Sequence, residues 1–194
     1  PATLAAAHRE WNLRHAAPLP RFSNHQNQRE PNRPLRVGYV SPDFREHVIG
    51  RFLLPLLSRH DHHQFDIYCY AAVTRPDSIT AIFQRQADVW RETSSASDAE
   101  LAQQIHEDQI DILVDLNLHM GGSRLLTFAR KPAPVQLTYL GYCSTTGLDA
   151  MDYRVTDPYL DPPDSDPGCF IEQPLPLPHS YWCYVPPDLT PEPV

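Results

Sequence analysis

Asp115, Asn117 and His119 occupy every second position at the end of the apolar run Asp111-Ile-Leu-Val-Asp115, and Gly121-Gly-Ser-Arg124 follows at once. On an extended backbone these three side chains project to one side, while Leu116 and Leu118 project to the other. A carboxylate, an amide and an imidazole side by side suit recognition of sugar hydroxyls and amides, and an Asp beside a His can tune a base. Gly122 and its neighbour expose backbone N–H groups, and Arg124 adds a cation. A polar strand end turned to solvent would account for the same residues.

A second candidate is His47, which closes Ser41-Pro-Asp-Phe-Arg-Glu-His47 between a strand-like run and a helix-like one. In a doubly wound sheet that turn lies at the ligand edge, where a His serves as base or hydrogen-bond donor. A helix cap by Asp43 or His47 is the plain alternative. The segment carries neither G-x-G-x-x-G nor a Walker lysine, which disfavours dinucleotide and P-loop chemistry. Gly141-Tyr-Cys-Ser-Thr-Thr-Gly147 is a hydroxyl-rich loop, with Thr145 and Thr146 as candidate ligand contacts. Its glycines allow close backbone approach, though a simple turn needs them too. His60, His62 and His63 read as a solvated loop, because neighbouring loop residues do not converge on one ion without a dedicated turn. No convincing carboxylate pair marks a divalent-metal site, and none is expected.

These groups need a scaffold. Residues 2–16 place Leu4, His8, Trp11 and His15 at helical spacing, which predicts a helix of about four turns; the block 1–17 is taken as a joining helix. The polar, Pro-rich stretch 18–34 reads as a linker. Strands are expected at 35–40, 65–72, 88–92, 111–115, 134–139 and 151–156, roughly six in all. Helices are expected at 48–58, with Pro55 inside, at 77–86 behind an Asp cap, at 97–107 behind a Ser-x-x-Glu capping box, and at 122–129. Strands and helices alternating at this spacing indicate βαβ units and a mainly parallel, Rossmann-like α/β sheet covered on both faces.

The chain has 194 residues, 41% hydrophobic, enough for one sizeable core. Its net charge of −8, with 16 basic against 24 acidic residues, argues against nucleic acid as a partner. No run near 18 apolar residues or signal-type segment is present, so neither membrane insertion nor secretion is expected. Cys69, Cys143, Cys169 and Cys183 form no C-x-x-C pair and read as reduced thiols of a cytoplasmic protein. The 21 prolines crowd the C-terminal region, and 186–194 reads as a linker at a domain boundary.

Taken in order, several blocks resemble the protein O-linked N-acetylglucosamine transferases, a family that includes Spindly-type and bacterial relatives. They are Leu35-Arg-Val-Gly-Tyr-Val-Ser-Pro-Asp-Phe-Arg-Glu-His47, Asp111-Ile-Leu-Val-Asp-Leu-Asn117, Gly122-Ser-Arg124, Phe128-Ala-Arg-Lys-Pro-Ala-Pro-Val-Gln136, Leu140-Gly-Tyr142, Thr145-Thr-Gly147 and Met151-Asp-Tyr153. The resemblance covers 35 to about 160, and His8-Arg-Glu-Trp11 is similar to the family's segment joining tetratricopeptide repeats to the catalytic region.

The resemblance implies the N-terminal catalytic half, 35–185, of an inverting GT-B glycosyltransferase, preceded by one helix. Its partners would be upstream tetratricopeptide repeats, a C-terminal half that holds most of the nucleotide, and acceptor proteins. The implied donor is UDP-N-acetylglucosamine, with no cofactor, and the implied acceptors are Ser and Thr hydroxyls; a different donor such as GDP-fucose, or a noncatalytic binding domain, are the alternatives. The fragment alone is expected to be inactive. By position, His47 matches an active-site histidine of the family and Asp115 joins it as a catalytic candidate. Asn117, His119, Gly122, Arg124, Tyr142, Thr145 and Thr146 fall on the substrate side. Leu118 stands where the family usually has glycine, and Cys143 where proline is frequent.

Overall fold

In the computed structural model, residues 2–162 and 164–186 are described. Thus 187–194, most of the expected 186–194 linker, lie outside the described residues. Seven strands form one sheet: β1 (Leu35–Ser41), β2 (Phe65–Ala71), β3 (Val89–Glu92), β4 (Ile112–Asp115), β5 (Val135–Thr138), β6 (Tyr153–Thr156) and β7 (Gln173–Pro176). Their order is β3-β2-β1-β4-β5-β6-β7, and every pairing is parallel. The order reverses between β1 and β4, so the carboxyl ends of these two strands flank the crevice where such sheets take ligands.

Both faces of the sheet are covered. The inward residues Val37, Tyr39, Ile67 and Val114 pack with Leu53 and Leu57 of α2 (Val48–Leu57) and Phe83 of α3 (Ser78–Gln86). On the other face Val40, Tyr70 and Leu113 meet Leu101 and Ile105 of α4 (Asp98–Glu107) and Phe128 of α5 (Leu125–Ala129). Side chains alternate across a strand, so adjacent residues of β1 feed opposite cores. Burial of these large apolar groups, at roughly 1.5–3 kcal/mol each, is the main force holding the layers.

The helix starts follow their caps. Asp77 and Thr80 exchange side-chain and backbone hydrogen bonds at α3, and Ser97 and Glu100 do so at α4. Helix α2 runs through Pro55 to Leu57, so the proline falls in its last turn and leaves the Arg51 carbonyl without its helical N–H partner. The fifth helix begins at Leu125 rather than at residue 122, because Met120–Arg124 are turns and Gly122 has φ +79°.

Helix α1 (Ala2–Trp11) continues as a π-helical turn, Asn12–Ala16. Ala5, His8 and Ala16 are buried, so the joining helix is docked on the domain. Residues 18–34 contain no helix or strand but are tied down: the Phe22 N–H donates to the Arg130 carbonyl, and Arg33 makes a two-pronged ion pair with Asp111 at 2.6–2.7 Å.

The seventh strand, missed by the count of six, carries prolines at 174 and 176. Gln173 and Leu177 donate their N–H groups to β6-side carbonyls of Asp152 and Thr156. The prolines alternate with them and face away from the ladder, the one setting in which a strand tolerates them.

Candidate functional site

At the end of β4 the chain leaves the extended conformation directly after Asp115, so the alternation expected through Asn117 and His119 does not continue. Instead Asp115 folds the chain over itself: Oδ1 accepts from the Asn117 N–H at 3.2 Å and Oδ2 from the Leu118 N–H at 3.0 Å. Thr138 of β5 donates its hydroxyl to Oδ2 at 2.8 Å. Leu118 then takes φ +44°, the left-handed region that costs a side-chain-bearing residue about 1–2 kcal/mol.

Asp115 is 1% exposed. Burial pushes its carboxyl up to about 6, against the pull of Thr138 and the Leu118 and Asn117 N–H groups; the nearby charge of Glu172 adds to the rise.

The turn aims Asn117 across to β1. Its Oδ1 accepts from the Ser41 hydroxyl at 2.9 Å, and its Nδ2 donates to Asp43 Oδ2 at 3.2 Å. Asp43 Oδ2 also lies 3.5 Å from His47 Nδ1, and Asp43 Oδ1 accepts from Arg45 at 3.1 Å. One connected cluster, Asp115–Asn117–Asp43–His47, therefore crosses the β1/β4 crevice. Ser41 and Asp43 were visible only as turn residues in the sequence; their side-chain links to Asn117 span more than 70 positions.

His47 is the N-cap of α2, with extended backbone (φ −154°, ψ 158°) and its Nδ1 accepting from the Ile49 N–H at 3.2 Å. The helix cap that the sequence offered as the plain alternative is present, and the same side chain lies beside Asp43. Because Nδ1 is an acceptor here, the neutral ring carries its proton on Nε2. The side chain is partly exposed, so this N–H is a free donor.

Beside this cluster lies an open cleft of about 620 Å³ lined by Pro42, Asp43, Arg45, Arg75, Gly122 and Arg124, among others. Gly122 cannot carry a side chain: besides its positive φ, a Cβ would sit 2.9 Å from Pro42. Arg124 lines the cleft, but its guanidinium is engaged by Asp98 at 2.8 Å and by the Ala96 carbonyl at 2.8 Å, which joins the starts of α4 and α5.

On the opposite flank, His119 Nε2 lies 2.7 Å from the Thr146 carbonyl, and its ring stacks on His8 of α1 with centroids 4.0 Å apart. His8 Nδ1 lies 2.7 Å from the Thr145 carbonyl, and the Tyr142 hydroxyl is 3.5 Å from His8 Nε2. Burial lowers the pKa of His119. Thr145 and Thr146 are fully buried, and both hydroxyls bind Glu172, so any part they play at the site runs through the loop they hold. His8 and Glu172 were not singled out by sequence reasoning. His8 was marked only by its helical spacing and as part of the joining-segment block, and Glu172 sits in a Pro-rich stretch without period.

Gly147, at φ +76°, lies so close to α1 that a Cβ would stand 2.5 Å from the His8 carbonyl carbon. Gly147→Ala is therefore expected to destabilise the protein by about 1–3 kcal/mol and to loosen α1. Trp11 fluorescence should then change at lower denaturant than the global transition; coincident transitions would contradict this.

Among the described residues no group of three His, Cys, Asp or Glu side chains is arranged to hold a metal ion. His60 and His62 face different partners, Tyr39 and Asp88. No described helix is long and apolar enough to cross a membrane.

Residues 3–182 match Glycosyl transferase family 41. The chain belongs to this family. A probable UDP-N-acetylglucosamine–peptide N-acetylglucosaminyltransferase, SPINDLY, of Arabidopsis thaliana is 37% identical over 187 residues, 94% of this chain and 20% of the relative. The UDP-N-acetylglucosamine–peptide N-acetylglucosaminyltransferase of Caenorhabditis elegans is 32% identical over 164 residues, covering 84% and 14% respectively. The solved structure of an O-GlcNAc transferase mutant, K341M, from Thermobaculum terrenum superposes with a TM-score of 0.89 at 42% identity, over 95% of this chain and 36% of that one. The chain thus spans about a fifth of the length of the plant relatives it matches. The family, the Rossmann-like fold and the one helix before it in this family-41 chain agree with the sequence reading.

Proposed function

We propose that this family-41 chain is the acceptor-side part of a cytoplasmic, inverting protein O-glycosyltransferase of GT-B type, moving N-acetylglucosamine from UDP-N-acetylglucosamine to Ser or Thr hydroxyls of proteins. The carrying observation is the cluster Asp115–Asn117–Asp43–His47 across the β1/β4 crevice, in a chain whose relatives are named for that reaction. In the rest of the polypeptide, upstream tetratricopeptide repeats would reach acceptor proteins, and a C-terminal half would hold the nucleotide. The donor is a substrate, and no separate cofactor enters the reading.

The chemistry forms a bond between the acceptor oxygen and the anomeric carbon, breaks that carbon's bond to the diphosphate, and passes the hydroxyl proton to the departing diphosphate or to water. His47 donates Nε2–H to an oxygen of the reacting pair, with its ring set by the Ile49 N–H and Asp43 Oδ2 3.5 Å from Nδ1. Asn117 locks the two strand ends in register, and Asp115 shapes the turn beneath it without facing the substrate. Free, unbridged cysteines support a reducing compartment.

The test is transfer by the full-length protein, read by mass spectrometry as N-acetylhexosamine on Ser or Thr of an acceptor protein, with UDP-N-acetylglucosamine and GDP-fucose compared. Preference for GDP-fucose would overturn the donor assignment, and binding without transfer to any acceptor would favour a noncatalytic domain.

Asn117→Ala leaves Ser41 and Asp43 without a buried partner, a cost of about 1–3 kcal/mol. Activity of the folded fraction is expected to fall further than this, because Asp43 is then free to move from His47. Steady-state rates set against the melting curve separate the two effects, and loss in strict parallel would mean a purely structural role.

A further inference from the structure

Glu172 is 4% exposed, and among the described residues no Lys or Arg forms an ion pair with it. A buried carboxylate without a cation persists only when hydrogen-bond donors converge on it. Here three do: Oε2 accepts from the Thr145 hydroxyl at 2.7 Å, and Oε1 from the Thr146 N–H at 2.7 Å and from the Thr146 hydroxyl. The direction of these bonds is forced. Thr145 Oγ already accepts from the Gly147 and Ile171 N–H groups at 3.1 and 3.3 Å, and Thr146 Oγ from the Leu148 N–H at 3.1 Å. Thr145 therefore has only its own proton left to give to Oε2, and the Thr146 N–H can only donate to Oε1. The group that receives them must be an acceptor at both oxygens, which an ionised carboxylate is and an amide is not.

The loop so held points its Thr145 carbonyl at His8 and its Thr146 carbonyl at His119. A carbonyl only accepts, so His8 Nδ1 and His119 Nε2 must carry protons. In the neutral rings this leaves His8 Nε2 bare to receive the Tyr142 hydroxyl, and His119 Nδ1 bare beside the Asn117 turn. We propose that Glu172 is a positioning residue of the site: an acceptor-only anchor that fixes the Thr145–Thr146 loop and, through its two carbonyls, the ring orientations and tautomers of His8 and His119. It thereby makes one unit of the N-terminal helix, the loop after β5 and the turn after β4. This rests on the transferase reading only for its effect on turnover.

The experiment compares wild type, Glu172→Gln and Glu172→Asp in the full-length protein, by histidine C2–H deuterium exchange with mass spectrometry and by steady-state kinetics. Gln keeps the shape but turns an amide N–H2 toward the saturated Thr145 oxygen. Exchange at His8 and His119 is expected to rise several-fold in Glu172→Gln, with the remaining histidines unchanged. kcat is expected to fall about 10- to 100-fold, as small misplacements at an active site do, with the acceptor KM little altered. Asp keeps the acceptor character and should recover part of both. A folded Glu172→Gln protein with wild-type exchange at both histidines would overturn the proposal, as would a kcat loss equal to the unfolded fraction. If Gln does not fold, Asp carries the test, and wild-type exchange in Asp together with unchanged kcat would overturn it. Should the wild type prove inactive as a transferase, the function reading fails, while the exchange arm still decides the role of Glu172.

Discussion

His47→Ala in the full-length enzyme is expected to lower kcat by about 10²–10³-fold, the usual effect of removing one preorganised donor from a developing charge. It should also lose about 1 kcal/mol of stability, because Ala cannot accept from the Ile49 N–H at the start of α2. His47→Asn separates the two effects. Its amide oxygen restores the cap, so stability should return toward wild type while turnover does not, since Asn is too short to place a donor where Nε2 stands. Thermal unfolding and saturating-substrate rates for both variants check this. A rate within about twofold of wild type in either variant would reduce His47 to a helix cap.

The second large effect concerns Asp115. Its folded pKa, about 6, lies above the ordinary 3.8, so the folded state holds more protons between about pH 4 and 6. Stability must therefore fall as pH rises through that window. The difference of about two pH units, at roughly 1.4 kcal/mol each, gives on the order of 3 kcal/mol. Asp115→Asn removes this titration. It has its own cost, independent of pH, because Thr138 and the Asn117 and Leu118 N–H groups all donate, and one of them must then face an amide N–H2. The wild type should exceed the variant most below about pH 4, where the extra proton is held in full, and the gap should narrow by about 3 kcal/mol by pH 7. Denaturant melts across that range measure it, and a pH-independent difference would contradict the buried, proton-retaining carboxylate.

Much of the scaffold was legible because its signals are local. Ser97 with Glu100, Asp77 before an apolar-periodic run, and the Val- and Leu-rich strands each carry their own physics, and the helices and strands formed where those residues stand. The seventh strand was not legible, since prolines at 174 and 176 mark a loop in any pattern that ignores which edge of the ladder they face. The site divided in the same way. Asp115, Asn117 and His47 stood out by residue type and spacing. Their true relation depends on a left-handed Leu118 that no period announces, and on Asp43, whose link to Asn117 exists only once β1 and β4 are paired. Glu172 and His8 reach the site by packing between distant segments, which leaves no trace in local sequence.

The outermost strand bears on how this molecule keeps company. With Pro174 and Pro176 turned outward, the rim of β7 offers carbonyls but no N–H at those positions. An incoming strand, whether from an acceptor peptide or a second copy, would find half of its ladder unanswered there. Among the described residues β7 is the last strand on this side, and its prolines remove N–H groups that growth of the sheet would need. A strand added beside β7 would lack those donors, whereas β3, at the other end of the sheet, carries no proline.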